Sequence, residues 1–271
     1  VTTVLLLRHG RTNANLTGVL AGRSPGVELD EVGLRQAAAA AERLAPLPVR
    51  AVVSSPLRRC RQTAKAVADA GAAALAGQNG GPLPVVTEAG LIECGYGSWT
   101  GRKLSDLAKE KLWSTVQQQP SAVRFPDGEA MSEMSARATA AIRAWDQRIA
   151  AEHGDAALWV AVSHGDVIKA ILADALGMHL DQFQRIMIDP ASISVIHYAG
   201  NRPFVLRMNS VGQDLESLIP KPPKKAARRS ASRSAATTGK KAAAKRPART
   251  AAAKSGPQAA VGGGLGAEDL L

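Results

Sequence analysis

The chain of 271 residues carries 34 Lys and Arg against 23 Asp and Glu, yet its net charge of +11 is confined to one end. Twelve basic and two acidic residues follow Pro220, so the body before it holds 22 basic against 21 acidic side chains and is nearly neutral. No apolar run reaches membrane-spanning length, and the chain opens on a strand rather than a basic and apolar leader, so a soluble cytoplasmic protein is expected.

A body ending near Pro220 suffices for one α/β domain. With aromatics at 3%, its core must come mainly from Ala, Val, Leu and Ile. Val4 to Leu7 is too short an apolar run for a helix and reads as a buried strand. Arg8-His9-Gly10 follows directly, with Arg11, Thr12 and Asn15 behind it. Residues 18–25 are turn-rich. Glu31 to Leu44 reads as a helix stopped before Pro46, and Ala51 to Ser54 as a second strand. Ser55-Pro56 then opens a helix towards Gly71, with Ser55 as its N-cap. Val85 to Thr87 is a third strand. The segment 91–101 holds too many glycines for a regular element, and Lys103 to Trp113 reads as a peripheral helix. Glu129 to Ala151 is a long amphipathic helix. Leu158 to Val162 is a strong strand, followed by Ser163-His164-Gly165 and a helix from Asp166 to Leu176. Ser192 to Tyr198 and Phe204 to Met208 close the body as strands. Such alternation implies a three-layer α/β/α sandwich on a mostly parallel sheet.

Two histidines, His9 and His164, therefore stand where buried strands stop, each followed by glycine. Strand ends of an α/β sheet deliver side chains into a ligand crevice. Guanidinium groups beside an imidazole make a poor core and a good anion site, since an arginine fork matches phosphate or carboxylate oxygens. Fixed positive charge favours the neutral, nucleophilic form of His9. A surface basic turn is the bland alternative for Arg8-His9-Gly10, as a hydrogen-bonded structural histidine is for His164. Arg59 lies near the start of a helix, where orphan N–H groups favour anions, and Glu93 lies in the glycine-rich loop. Cys60 and Cys94 form no CxxC and no zinc-like spacing; they read as small buried thiols. No P-loop, GxGxxG or GxSxG fingerprint occurs.

In their order these motifs resemble the histidine phosphatase superfamily, branch 1, the group containing cofactor-dependent phosphoglycerate mutases. Arg8-His9-Gly10 with Arg11, Thr12 and Asn15 is similar to its opening signature. Ser55-Pro56-Leu57-Arg58-Arg59-Cys60-Arg61-Gln62-Thr63-Ala64 resembles a second, which aligns Arg59 with the phosphate-binding arginine. The stretch from Leu91-Ile92-Glu93 to Gly101 resembles the loop carrying the general acid. Gly128-Glu129 with Arg137 matches a further signature, and Val162-Ser163-His164-Gly165 the second histidine. The resemblance spans residues 4 to about 210. It implies His9 as nucleophile, Glu93 as general acid and base, and His164 beside them. Arg8, Asn15 and Arg59 would bind the phosphate of a small substrate, with no metal and no cofactor. On this reading Glu93, lowered by its arginine neighbours, becomes a competent acid chiefly when substrate phosphate is bound.

The resemblance leaves phosphatase and mutase open; a degenerate, non-catalytic member that only binds phosphorylated ligands or polyanions is the alternative of another class, and it lacks its usual sign because the key positions keep the expected residues. The mutases carry a longer insertion after the acid loop with extra basic residues, whereas this chain reaches Pro126-Asp127-Gly128 soon after Gly101, which favours a phosphatase. A homodimer is compatible with either. Residues 221–271 are rich in Lys, Arg, Ala and Pro and lack large apolar side chains. That composition predicts disorder and suits a nucleic acid or another polyanion; a solubilising appendage with no partner is the alternative.

Overall fold

Val4, Leu6 and Leu7 are wholly buried and Leu5 nearly so, so their strand needs cover on both faces. The computed structural model describes residues 2–75, 83–200 and 202–212. In chain order these form β1 (Thr3–Arg8), α1 (Asn13–Leu16), α2 (Glu31–Leu44), β2 (Val49–Ser54), α3 (Arg58–Leu75), β3 (Val85–Thr87), α4 (Leu104–Leu107), α5 (Lys111–Gln118), α6 (Met131–His153), β4 (Leu158–Ser163), α7 (Gly165–Ala175), β5 (Ile193–Ala199) and β6 (Arg202–Ser210). The basic segment 221–271 and the boundary near Pro220 lie outside the described residues.

The six strands make one sheet in the order β3-β2-β4-β1-β5-β6. β1, β2, β3 and β4 are parallel, while β5 and β6 close the edge as an antiparallel pair. The period of two sorts each strand's side chains between two cores. Val4, Leu6, Val53, Trp159 and Ala161 face α6 and α7. Leu5, Leu7, Val52, Val160 and Val162 face α2 and α3. The expected three-layer sandwich is therefore the observed one.

The two cores differ in kind. The α2/α3 side is aliphatic, with Ala40, Ala41, Ala64 and Cys60 letting the helices approach. Every aromatic residue except Phe204 lies in or against the other core. Tyr96 and Phe125 meet edge-to-face at 5.0 Å, and Trp99 stacks on Trp113 at 6.2 Å. An Ala, Val, Leu and Ile interior holds for one face only. The segment expected as one peripheral helix over 103–113 is two short helices, α4 and α5, and it is not peripheral: Leu107 and Val116 are fully buried.

Chain direction makes a crevice at one edge of this sheet. From β1 the chain leaves through α2 towards β2 on one side, and from β4 through α7 towards β5 on the other. β1 and β4 are neighbours, so their carboxyl ends form the switch point at which α/β sheets bind ligands. Their register pairs Arg8 with Ser163, which makes His9 and His164 the next residues in line. The backbone pairing runs on into the site: His9 N donates to Ser163 O at 3.0 Å, and Ser55 N to Val162 O at 2.9 Å.

Candidate active site

His9 and His164 are buried side by side, their ring centroids 5.2 Å apart and their planes inclined by 63°. His9 Nδ1 lies 2.7 Å from the carbonyl oxygen of Gly10. A carbonyl only accepts, so Nδ1 carries the proton and Nε2 keeps its lone pair. Arg59 Nε points at that Nε2 from 3.3 Å. Its Nη2 donates to Gly22 O at 2.8 Å and to His164 Nδ1 at 3.2 Å. His164 Nδ1 thus accepts, which leaves its Nε2–H to donate to Ser55 Oγ at 2.7 Å. Arg59 Nη1 is buried without a protein hydrogen-bond partner. A buried guanidinium donor with no protein partner, set beside two imidazoles, is suited to an anion.

Arg8, the last residue of β1, is fully buried and donates through Nη1 to Ile188 O at 2.6 Å. Burial pushes its guanidinium down to about 10, against the charges of Glu93, Asp189 and Asp166. Both imidazoles are held well below the ordinary histidine value, first by burial and then by Arg59. Flanking positive charge does favour neutral His9, as expected, but burial is the larger cause. Arg11 turns away and pairs with Asp30 at 2.8 Å. Asp30 also caps α2 through Gly33 N. Gly10 lies against the backbone of Gly33, whose oxygen a Cβ on Gly10 would meet at 2.4 Å. Asn15 is buried, and its amide oxygen accepts from Thr12 N and Thr12 Oγ1 in the capping box of α1.

Glu93 is buried against the same cluster, with Oε1 accepting from Cys94 N at 2.9 Å and Oε2 lying 3.8 Å from His164 Nδ1. Its loop is pinned from behind. Arg137 donates to the carbonyls of Gly90, Ile92 and Glu93 and forks onto Glu129, while Arg23 bridges Glu93 O and Glu129. Burial and the charge of Asp166 push the Glu93 carboxyl up to about 7, against the opposing pull of Arg59, the Cys94 N–H and Arg8. This corrects the expectation of an acid lowered by its arginines and raised only with bound phosphate. Burial, with the charge of Asp166, outweighs the arginines.

The crevice therefore joins Arg8, His9, Arg59, Glu93 and His164, five of the six residues singled out by sequence, and fixes Asn15 at the neighbouring cap. Ser55 is not the helix cap it was read as. The helix starts at Arg58, and Ser55 Oγ instead accepts from His164 Nε2–H at 2.7 Å and from Leu57 N at 3.4 Å. Its position one residue past β2, in line with His9 and His164, was the available signal. Thr63 accepts from Gly10 N and Gln62 from Leu29 N, so the motif around Arg59 also ties α3 to the loops framing the crevice. Cys60 Sγ lies 3.4 Å from His164 Nε2, and burial pushes its thiol up to about 12; Cys94 is buried and shifted in the same direction. Neither thiol has the ionised character of a reactive cysteine. Among the described residues no group of three His, Cys, Asp or Glu side chains is placed to hold a metal ion.

The model of the histidine phosphatase superfamily (branch 1) matches residues 4–211. The probable phosphoglycerate mutase GpmB of Yersinia pestis (strain Pestoides F) is 31% identical over 197 residues, 72% of this chain and 84% of that protein. Among solved structures, the alpha-ribazole phosphatase from Shigella flexneri is 25% identical with a TM-score of 0.63, covering 79% of this chain and 99% of that one. The phosphoserine phosphatase from Entamoeba histolytica, solved with 3-phosphoglyceric acid, shares the fold at 22% identity and a TM-score of 0.66, over 78% of this chain and 98% of that one.

Proposed function

Because the chain belongs to the histidine phosphatase superfamily (branch 1), whose members here are phosphatases and mutases, we propose that it hydrolyses a small phosphomonoester through a phosphohistidine on His9. The observation that carries this reading is the orientation of His9. Gly10 O fixes the Nδ1 proton, so the Nε2 lone pair faces Arg59 and His164 across the crevice. When phosphate arrives, Arg59 exchanges its contact with Nε2 for phosphate oxygens. Arg8, Asn15 and His164 complete the cradle.

In the first step His9 Nε2 attacks phosphorus, the bond from phosphorus to the ester oxygen breaks, and Glu93 gives its proton to the departing oxygen. The Nδ1–H bond to Gly10 O carries part of the positive charge that develops on the ring. In the second step water attacks the phosphohistidine, Glu93 takes a water proton, and the P–N bond breaks. One hard displacement becomes two easier ones, and fixed guanidinium donors stabilise the charge of each transition state.

Hydrolysis is favoured over retention for transfer by the state of the cap between Gly101 and Pro126. Three of its basic side chains are already paired: Arg102 with Glu110, Lys109 with Asp106, and Arg124 with Glu133. They are poor candidates for the extra charges that would hold a phosphoglycerate carboxylate. The likeness to a GpmB protein supports the mutase as the second reading.

His9→Ala should abolish release of phosphate from p-nitrophenyl phosphate, and rapid acid-free quenching of the wild-type protein should trap an acid-labile phosphoenzyme. Turnover that survives in the variant would overturn the assignment; efficient isomerisation of phosphoglycerate primed by a bisphosphate would favour the mutase. We further propose that the protein is cytoplasmic and that residues 221–271 bind a polyanion such as nucleic acid. Truncation after Pro220 should leave turnover on small substrates unchanged and remove salt-sensitive DNA retention.

A further inference from the structure

α7 is buried from Gly165 to Ala173, and over that stretch its sequence Gly-Asp-Val-Ile-Lys-Ala-Ile-Leu-Ala is apolar apart from one carboxylate and one ammonium. Both charges lie inside the protein: Asp166 is fully buried and Lys169 is 2% exposed. The reaction proposed above uses neither. Burying such a pair costs several kcal/mol of desolvation per ion unless geometry repays it, and here other groups engage both ions. Tyr96 Oη donates to Asp166 Oδ2 at 2.7 Å. Lys169 Nζ lies 3.5 Å from Asp166 Oδ1 and donates to Gln184 Oε1 at 3.1 Å, over the ring of Phe183.

The placement of this network links the two halves of the site. Tyr96 is three residues beyond Glu93 on the acid loop, and Asp166 is two residues beyond His164. The Tyr96–Asp166 bond therefore closes a ring through Glu93, His164 and the ends of their segments. The groups whose charge bears on Glu93 are Arg8 of β1, Arg59 of α3, Tyr96 and Cys94 of its own loop, and Asp166 and Lys169 of α7, with His164 Nδ1 3.8 Å from its Oε2. Facing Asp166 are Tyr96, Lys169, Arg8 and Glu93. Against the two guanidiniums, Asp166 is the negative charge that the protein sets beside its acid.

We propose that Asp166 is a positioning residue for Glu93: a fixed carboxylate, clamped by Tyr96 and Lys169, that keeps the proton on the acid until the leaving oxygen takes it. The inference rests on the reading of Glu93 as general acid. Like charge in a buried site disfavours ionisation of its neighbour, which accords with the raised proton affinity of Glu93.

The test is the pH dependence of kcat on β-glycerophosphate, whose alkoxide needs a proton, and on p-nitrophenyl phosphate, whose phenolate does not. The protein set is wild type, Asp166→Asn, Asp166→Asn/Lys169→Met and Glu93→Gln. The double variant removes both buried charges together and so guards against an uncompensated ammonium that unfolds the single variant. With the wild type, the rate on β-glycerophosphate should fall as pH rises through the Glu93 titration. In Asp166→Asn that limb should move to lower pH by roughly one unit, and in the double variant by less, because the Lys169 cation is lost together with the Asp166 charge. Above the limb the rate should then be about tenfold lower on β-glycerophosphate and little changed on p-nitrophenyl phosphate. A limb that stays in place in the folded Asp166 variants, while Glu93→Gln abolishes it, overturns the role of Asp166 and leaves the acid intact. A wild-type limb and wild-type leaving-group preference in Glu93→Gln would instead remove the acid assignment, and the proposal with it.

Discussion

Replacing Glu93 by Gln should make the protein more stable at pH 8 and leave it unchanged near pH 4.5. Glutamine is nearly isosteric, and its amide oxygen still accepts from Cys94 N, where the carboxylate oxygen now sits at 2.9 Å. The difference lies in the proton. Burial and Asp166 raise the Glu93 carboxyl from 4.5 to about 7, so between those values the native protein holds a proton that the unfolded chain has released. Stability then falls as pH rises through that window. At 1.36 kcal/mol per unit, the loss is about 3 kcal/mol once Glu93 is fully ionised. His9 and His164 work in the opposite sense. Held neutral when folded, they cost stability as pH falls below the ordinary histidine value. They do so in both proteins and cancel in the difference. Urea unfolding of wild type and Glu93→Gln at pH 4.5, 6 and 8, followed by tryptophan fluorescence, reads that difference directly. It should grow from near zero to about 3 kcal/mol in favour of glutamine. A difference independent of pH would show that Glu93 ionises normally, and the acid role would lose its physical basis.

Arg59→Lys should lower kcat on p-nitrophenyl phosphate by a factor on the order of 100 to 1,000, because an ammonium cannot span His9, His164 and a phosphate as the fork does; a loss confined to KM would contradict a transition-state role. Gly97→Ala should destabilise by about 3 kcal/mol, since alanine there is strained and its Cβ overpacks. Gly97 has φ +53°, and a Cβ would stand 1.9 Å from Pro126 O. A melting temperature lower by roughly 10 °C is the expected readout, and an unshifted one would mean that the acid loop can yield at that point.

Sequence alone gave the strands that form the floor of the site because they are buried on both faces. A run such as Val4 to Leu7, or Leu158 to Val162, has no competing reading once a glycine follows it. Boundaries that depend on tertiary partners were harder to read. Ser55-Pro56 has the composition of a helix start, yet the serine hydroxyl accepts from His164 Nε2–H and the helix begins only at Arg58. Local propensity offered Ser55 a cap, and a buried imidazole needing an acceptor outbid it. The cap segment failed for a related reason. Aromatic content averaged over the chain hides the placement of Tyr96, Trp99, Trp113 and Phe125 in one cluster beneath the acid loop.

The site shows where motif reading stops. Its residues were legible because each is tied to a chain position: the end of a strand, the first turn of a helix, a glycine loop. Their proton affinities were not, because those depend on groups brought in from elsewhere. Guanidiniums in the motifs that share the site suggest a lowered acid, whereas the fold buries Glu93 and adds the charge of Asp166 to its surroundings. A signal for Asp166 did exist: opposite charges at i and i+3 in the first turns of a helix whose other residues up to Ala173 are Gly, Val, Ile, Leu and Ala. A helix that apolar must be buried, a buried charge must be paired, and a pair so costly two residues from His164 is more readily explained by the chemistry of the crevice than by the stability of the helix.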